Sequence, residues 1–404
     1  MKKRWSLIVT ILKGLTLTLL SVITFCYAMF QGGFVSWFLF YSFLPFAVLC
    51  LLVGVAPLRS FQVDRHLSRN EYKAGDPLEI TITLKRNNRL PLPFLLIEEN
   101  FPKTLQASTN AMYGKALVFP WFKKEVTVSY KIDSLPRGEH VFSTIRLKTG
   151  DPIGLFEKEW STVVSQTILV YPALKEMMYR PLDTKYDQGA AASSVIHQKD
   201  TSLVTGVRDY QTGDRFSWVH WKAFARTNQL MTKEFEERQS HDVLLVLDRR
   251  EDPMFEPMVT LVASATQAIL KRGAQVGLLS AGEERTYFAP KQGDAQKQQV
   301  LYHLAKVTSD TQKDLGVILH GERFGAQQAV TLFVVTASLS EALVDSVSVF
   351  TKRKGVVVLF VIKPKGNDWT SEEHGLRSIA IARGVHVRLL TPENITTAFT
   401  EVGR

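Results

Sequence analysis

Apolar positions crowd the first sixty residues, give way to a two-residue alternation, and end as short apolar runs separated by stretches with helical spacing. No charged residue occurs from Leu15 to Phe30 or from Phe34 to Ala56. Each run approaches the ~20 residues that cross the hydrocarbon core of a bilayer, which predicts a transmembrane helical hairpin over residues 1–58 with spans at about 10–30 and 34–56. Lys13 shortens the first run, yet its long stem carries the ammonium to the headgroups, and Trp5, Trp37 and Tyr41 suit interfacial depth. A cleavable signal peptide competes for the first run, but it lacks a convincing small-residue cleavage site and a second span follows at once. The join Gln31-Gly32-Gly33 is uncharged, while Lys2, Lys3 and Arg4 precede the first span and Arg59, Arg65 and Arg69 follow the second. The positive-inside rule then predicts a multi-pass protein of the cell membrane, seated in the lipid bilayer with both termini cytoplasmic.

Over residues 60–172 the period is two, most clearly where Leu78, Ile80, Ile82 and Leu84 alternate with Glu79, Thr81, Thr83 and Lys85. The pattern returns at Val126, Val128, Tyr130 and Ile132, with shorter strands expected at Val141–Leu147 and Thr167–Tyr171. Turn signals at Ala74-Gly75-Asp76-Pro77, Asn87-Asn88, Pro136-Arg137-Gly138 and Gly150-Asp151-Pro152 punctuate it. Short strands at this spacing predict an all-β, immunoglobulin-like sandwich. Residues 173–205 include Gly189-Ala190-Ala191-Ala192-Ser193-Ser194 and read as an exposed linker or long loop. From 242 to 404 strands and helices alternate. Strands are expected at Val243–Leu247, Val276–Ser280, Val330–Val335, Val356–Ile362 and Val385–Leu390, and helices at Pro257–Lys271, Ala295–Val307, Leu339–Lys352 and Glu372–Ala382. That order predicts a doubly wound α/β domain with a parallel sheet, so ligands belong just beyond Leu247 and Val335, at the carboxyl ends of strands.

Between these domains, residues 206–241 carry the most specific pattern: Gly206, Arg208, Tyr210, Gly213, Asp214, Trp221, Ala225-Arg226 and Lys233-Glu234-Phe235 at fixed spacing. The segment closely resembles the bacterial domain of unknown function 58 family, whose members share a pattern like G-x-R-x-Y-x-x-G-D-x-x-R-x-I-x-W followed by A-R and K-E-F. Ser217 stands where the family pattern has an arginine, and an arginine lies instead at Arg215. The resemblance extends over the whole chain and implies two N-terminal spans, a β-sandwich and a C-terminal von Willebrand factor A-like domain. It also implies partners, because similar proteins are commonly encoded beside MoxR-type AAA+ ATPases and transglutaminase-like membrane proteins. Two accounts of the segment stay open. Tyr210, Phe216, Trp218, Trp221 and Phe224 pack on the following sheet while the charges form partly buried bridges, or the same residues form a docking surface anchored by tryptophan and arginine.

Von Willebrand A domains hold Mg²⁺ through D-x-S-x-S and a later aspartate. Here Asp248 is followed by Arg250 and Asp252 in place of both serines, and Thr336-Ala337-Ser338 lacks the aspartate. An arginine in the cup opposes a hard cation, so the metal site is expected to be degenerate, with Arg250 supplying a positive charge of its own. Of the function classes, nucleic-acid binding rests on the net charge of +10 alone; the 49 basic and 39 acidic residues are interspersed rather than striped. Both cysteines, Cys26 and Cys50, lie in the apolar runs, which leaves no thiol for catalysis or metal binding in the rest of the chain. No G-x-S-x-G elbow, phosphate loop or H-E-x-x-H helix occurs. The expectation is a membrane-tethered adaptor without enzymatic activity or cofactor. A hydrolase built from Asp214, His220 and Asp248 is the alternative.

Overall fold

In the computed structural model residues 2–400 are described except 70, 103–104, 106–113, 180–197, 213, 239–241, 321–330 and 353–355. They form two compact units, Met1–Tyr171 and Pro172–Arg404. The first begins with helices α1 (Lys2–Gln31) and α2 (Phe34–Val55). Gly32 reverses the chain between them at φ 63°, a left-handed conformation that glycine adopts without a Cβ clash. Ile11–Gln31 and Phe34–Val55 are each long and apolar enough to cross a membrane. The helices lie against each other and bury Leu17, Ala47 and Cys50, while Leu15, Leu19, Phe38 and Tyr41 point outward and stay largely exposed. An apolar face of that extent calls for an apolar surround rather than water.

Among the described residues, eight strands follow in the first unit: β1 (Phe61–Leu67), β2 (Glu71–Lys73), β3 (Leu78–Arg86), β4 (Leu95–Glu99), β5 (Lys115–Val118), β6 (Glu125–Ile132), β7 (Gly138–Gly150) and β8 (Glu157–Tyr171). They form two sheets, β1-β3-β6 and β2-β8-β7-β4-β5. In β3 the side chains of Leu78, Ile80, Ile82 and Leu84 are buried, as a strand with one covered face requires, and they share a core with Leu95, Ile97, Phe142, Ile145, Leu147, Ile168 and Val170 from the other sheet. Within this core the buried Arg65 guanidinium of β1 pairs with the buried Glu99 carboxylate of β4, donates to the Val164 carbonyl at 2.7 Å and stacks over the Phe142 ring at 5.2 Å. One ion pair thereby ties the two sheets together. β7 and β8 run well beyond the short strands expected from sequence, because their continuations alternate polar and half-buried residues and are held by the antiparallel ladder itself.

The second unit corrects the expected linker at both ends. After Pro172 the chain packs at once on the α/β body: Lys175 N donates to Ser264 Oγ at 2.9 Å, its ammonium to the Pro392 carbonyl at 2.7 Å, and Tyr179 is buried with its ring 6.3 Å from Phe333 and 5.3 Å from Phe399. At the other end, Gln198–Thr205 is strand, the first part of β9 (Gln198–Asp209), which pairs antiparallel with β10 (Met231–Arg238). A two-stranded ribbon is held by backbone hydrogen bonds and needs no apolar alternation, which is why the pattern is silent there. Gly189–Ser194 lies outside the described residues.

From residue 242 the sheet order is β13-β12-β11-β14-β15-β16, where β11 is Val243–Asp248, β12 Val276–Ala281, β13 Thr286–Lys291, β14 Thr331–Thr336, β15 Val357–Ile362 and β16 Val385–Leu390. All neighbours are parallel except β13, an antiparallel edge strand that the sequence reading did not contain. Every residue of β11, β12 and β15 is buried, so both faces of the sheet are covered. One face receives α6 (Leu315–Leu319), α7 (Glu341–Lys352) and α8 (Ser371–Ala382), packed on Leu244, Val246, Val334 and Leu359. Helices α4 (Phe255–Lys271) and α5 (Asp294–Lys306) pack together, and α4 lies along β11, β12 and β14. A short helix α3 (Trp221–Thr227) sits between β9 and β10.

The Arg65–Glu99 pair yields a prediction. Glu99→Ala leaves a buried guanidinium uncompensated and is expected to cost about 3–5 kcal/mol, whereas Arg65→Met combined with Glu99→Leu recovers most of that loss, since apolar groups of similar volume replace both charges. Chemical denaturation of the full chain in detergent, following the transition of the β-rich unit, measures both.

Candidate functional site

The hairpin formed by β9 and β10 carries a connection, residues 210–230, that is locked by one carboxylate. Asp214 accepts from Arg208 Nη2 at 2.7 Å, from the Gln211 amide at 3.0 Å and from Thr232 Oγ1 at 3.2 Å, and its own carbonyl accepts from the Tyr210 hydroxyl at 3.3 Å. The Arg208 hydrogen bond and the Gln211 amide hold this carboxyl down at about 2, so it is ionised throughout the physiological range. The backbone continues the lock: Tyr210 N donates to the Leu230 carbonyl and His220 N to the Met231 carbonyl. His220 Nδ1 accepts from the Ala223 amide at 2.9 Å and so caps the start of α3. Asn228, left-handed at φ 58°, ends it.

This frame presents aromatic groups outward. Phe216 is 71% exposed and Trp221 61%, while Arg215 stacks over Trp218 at 5.4 Å and Trp221 meets Phe224 edge-on at 6.2 Å. The reading in which these aromatics fill a core therefore fails for Phe216 and Trp221. Arg226 is exposed near the end of α3 and Lys233 is half-buried on β10. Glu234 pairs with Gly206 in the ladder, and Gly213 lies outside the described residues.

A second polar cluster lies at the carboxyl ends of β11 and β14. Buried Asp248 accepts from the Arg250 amide at 3.0 Å and from Thr336 Oγ1 at 2.8 Å; Arg250 Nη1 reaches Ser338 Oγ at 3.5 Å. Burial pushes the Asp248 carboxyl above the ordinary carboxylate range, against the hydrogen bonds from Thr336 and Arg250, and nearby Asp314 adds to the rise. Asp252 accepts from the Met254 amide at 2.7 Å, ahead of α4. Both Asp248 oxygens thus carry donors, and the Arg250 guanidinium reaches Ser338 beside them, a charge that opposes a hard cation there. Among the described residues no group of three or more His, Cys, Asp or Glu side chains is placed to hold a metal. Asp248, Arg250 and Asp252 also border a small cleft of about 170 Å³ with Ala337 and Ser338.

Of the three residues in the hydrolase reading, Asp214 accepts its donors within the hairpin, His220 Nδ1 caps α3, and Asp248 accepts at a strand end. The sequence reading missed Asp314, which caps α6 and binds Ser340 Oγ at 2.9 Å, and it missed the neighbouring cleft of about 530 Å³ where Lys363 stacks on Trp369 at 5.4 Å and pairs with Glu373. No local pattern marks them, since Asp314 meets Ser340 from another loop and the cleft sets the 363–373 segment beside Asp252 and Ala337.

Residues 206–370 match the model of the family described as protein of unknown function DUF58. A relative from Bacillus subtilis (strain 168), uncharacterized protein YeaD, is 38% identical over 393 residues, spanning 96% of this chain and 98% of that one. Among solved structures, proximal thread matrix protein 1 from the mussel byssus matches 40% of this chain and 46% of its own at 14% identity and a TM-score of 0.31. The SpRpn10 VWA domain matches 40% of this chain and 96% of its own at 11% identity and a TM-score of 0.29.

The cup gives a pH-dependent prediction. Because the folded pKa of Asp248 exceeds its unfolded value, its contribution to stability is present at low pH and is lost as the pH rises through the folded value. Asp248→Asn removes the ionisation, and its amide can donate to Thr336 Oγ1 while that hydroxyl donates to the Ser338 carbonyl. The variant is expected to melt above the native chain at about pH 8, with the gain shrinking toward about pH 4. A difference that does not vary with pH would assign the titration to another group.

Proposed function

The chain belongs to the DUF58 family, and we propose that it is a membrane-anchored adaptor or scaffold, without catalytic activity, that docks protein partners through the β9–β10 hairpin and the strand-end cup. The two apolar helices span the cell membrane and, by the cations that flank them, leave both termini and the two folded units on the cytoplasmic side. The β-rich unit is in this reading an immunoglobulin-like sandwich. The six-stranded unit is a doubly wound, von Willebrand factor A-like domain, supported by its strand order, in which the chain leaves β11 for one edge and returns through β14 to the other.

The observation that carries the proposal is Trp221, an indole 61% exposed on a connection whose backbone is pinned by Asp214, Arg208 and His220. A rigid, exposed tryptophan is the kind of residue from which interfaces draw much of their energy, because it loses little conformational freedom on binding. Arg250 supports it, as a cation fixed where related cups hold a metal, complementary to a carboxylate on a partner. The partner we propose is a MoxR-type AAA+ ATPase, with a transglutaminase-like membrane protein in the same assembly, serving cell-envelope or secretion work; the family resemblance supports this choice.

Co-purification from detergent with that ATPase tests the reading. Trp221→Ala is expected to weaken binding roughly 30-fold, corresponding to a hot-spot loss of about 2 kcal/mol. Asp214→Ala should weaken it through loss of the frame, and Arg250→Glu should do so by reversing the charge in the cup. Native-like binding by all three variants would remove the hairpin and the cup as docking surfaces.

A further inference from the structure

The β-rich unit carries a cluster of exposed aromatics that neither its core nor the proposed docking site uses. Phe119 is 62% exposed, Trp121 48% and Phe122 61%, all within the turn that joins β5 to β6, and the exposed Lys123 and Lys124 follow directly. Isolated exposed apolar residues are ordinary, but three large rings in four positions are not.

The turn is built rather than loose. Trp121 has a left-handed backbone at φ 47°, which side-chain-bearing residues avoid, and it is bridged to Leu92 by hydrogen bonds of 3.1 and 2.9 Å. The buried Arg86 holds the turn from beneath, donating to the carbonyls of Trp121 at 2.5 Å, Lys123 at 2.7 Å and Leu90 at 2.8 Å. A guanidinium spent wholly on backbone carbonyls fixes the direction in which the rings point, and strain kept in this way marks a functional conformation.

Its position identifies what the rings meet. Arg86 pairs in register with Phe61, the first residue of β1, and Phe61 follows α2 after a single short turn at Leu58–Ser60. On the other sheet, Val118 pairs with Leu95, and Thr149 Oγ1 donates to the Phe94 carbonyl. The turn at 151–156 that begins there seats Phe156 against Leu17, Ala47 and Cys50 of the helices, and Lys13 donates to the Leu155 carbonyl at 2.8 Å. Both sheets thus direct their exposed apolar tips, Phe119–Phe122 and the 55%-exposed Ile153, to the end of the unit from which the apolar helices leave.

We infer that the Phe119–Phe122 turn is a membrane wedge: its rings sit in the interfacial layer of the bilayer that holds α1 and α2, and Lys123 and Lys124 contact anionic headgroups. Aromatic rings favour that depth and cations close to an anionic leaflet are attracted to it, so one turn satisfies both preferences. The inference rests on the reading that α1 and α2 cross the membrane. It adds that the β-rich unit is held against the surface at a second point and is not free to swing on its tether.

Site-directed spin labelling of the full chain tests it, in a Cys26→Ser, Cys50→Ser background and in vesicles of phosphatidylcholine with phosphatidylglycerol. Single cysteines are placed at Phe119→Cys and Phe122→Cys in the wedge, at Val48→Cys in α2, and at Lys131→Cys, which is exposed at the opposite end of β6. Collision with oxygen, which concentrates in lipid, is compared with collision with a water-soluble nickel chelate. The expected result is an oxygen-to-nickel ratio at 119 and 122 several-fold above that at 131 and closer to that at 48. Ratios at 119 and 122 equal to that at 131, with 48 still lipid-like, overturn the wedge and leave the anchor standing. Protection of 119 and 122 from both reagents overturns it in favour of a protein partner. A water-like ratio at 48 overturns the anchor and the wedge together.

Discussion

Lys158 closes the end of α2: its ammonium donates to the carbonyls of Gly54 at 2.5 Å and Ala56 at 2.8 Å. The last carbonyls of a helix have no partner within it, and beside an apolar layer an unpaired carbonyl is costly. A strand residue supplies that partner here, so the terminus of the apolar hairpin is completed only when β8 is in place. Asp151 reinforces the same junction. It accepts from the Phe156 amide at 2.5 Å and from the Cys50 thiol at 3.2 Å. Although its surroundings push the carboxyl up, the Phe156 amide and the other donors bring it below its ordinary range. Two charged groups, each satisfied by the neighbouring element, make the helices and the β-rich unit one body, and the orientation of the exposed aromatic turn follows from that.

The α/β unit uses a different device. Its sheet is apolar on both faces, which secures stability but leaves little freedom inside, so the variable chemistry is displaced to the strand ends and to the β9–β10 hairpin. At the strand ends, Arg249 is almost buried and donates to the carbonyls of Thr308 at 3.0 Å and Glu284 at 3.1 Å, beside its ion pair with Asp310. Arg249 thus braces the loops while the adjacent Arg250 faces the cup. Neighbouring arginines take a structural and a surface role because successive residues leave the strand in opposite directions. In the hairpin, Asp214 performs the bracing and the aromatic rings are left outside.

Much of the architecture was legible from residue patterns. The uncharged run 15–30 lies within α1, the run 34–56 matches α2 but for its last residue, and the alternation from Leu78 to Lys85 lies in β3 with the predicted face inward. The strands starting at Val243, Val276 and Val385 and the helix ending at Lys271 appear where apolar periodicity placed them. These succeed because burial against one partner imposes a period on the chain itself. The β9–β10 ribbon and the packing of Tyr179 were not legible. Backbone pairing leaves no period, and a single aromatic anchor has no pattern to read.

Residue order alone settles which segments reject water and which strands hide one face, since transfer free energies belong to each side chain wherever it sits. It also settles the chemical types available to a site: a hairpin rich in aromatics and arginine, and a strand end that carries Arg250. Packing alone sets Trp221 and Phe216 outward, brings Arg65 to Glu99 across the two sheets, and puts Phe119–Phe122 at the end where the apolar helices depart. Those outcomes depend on residues far apart in the chain coming within a few ångströms. Exposure and pairing are properties of the packed neighbourhood and have no counterpart in local order.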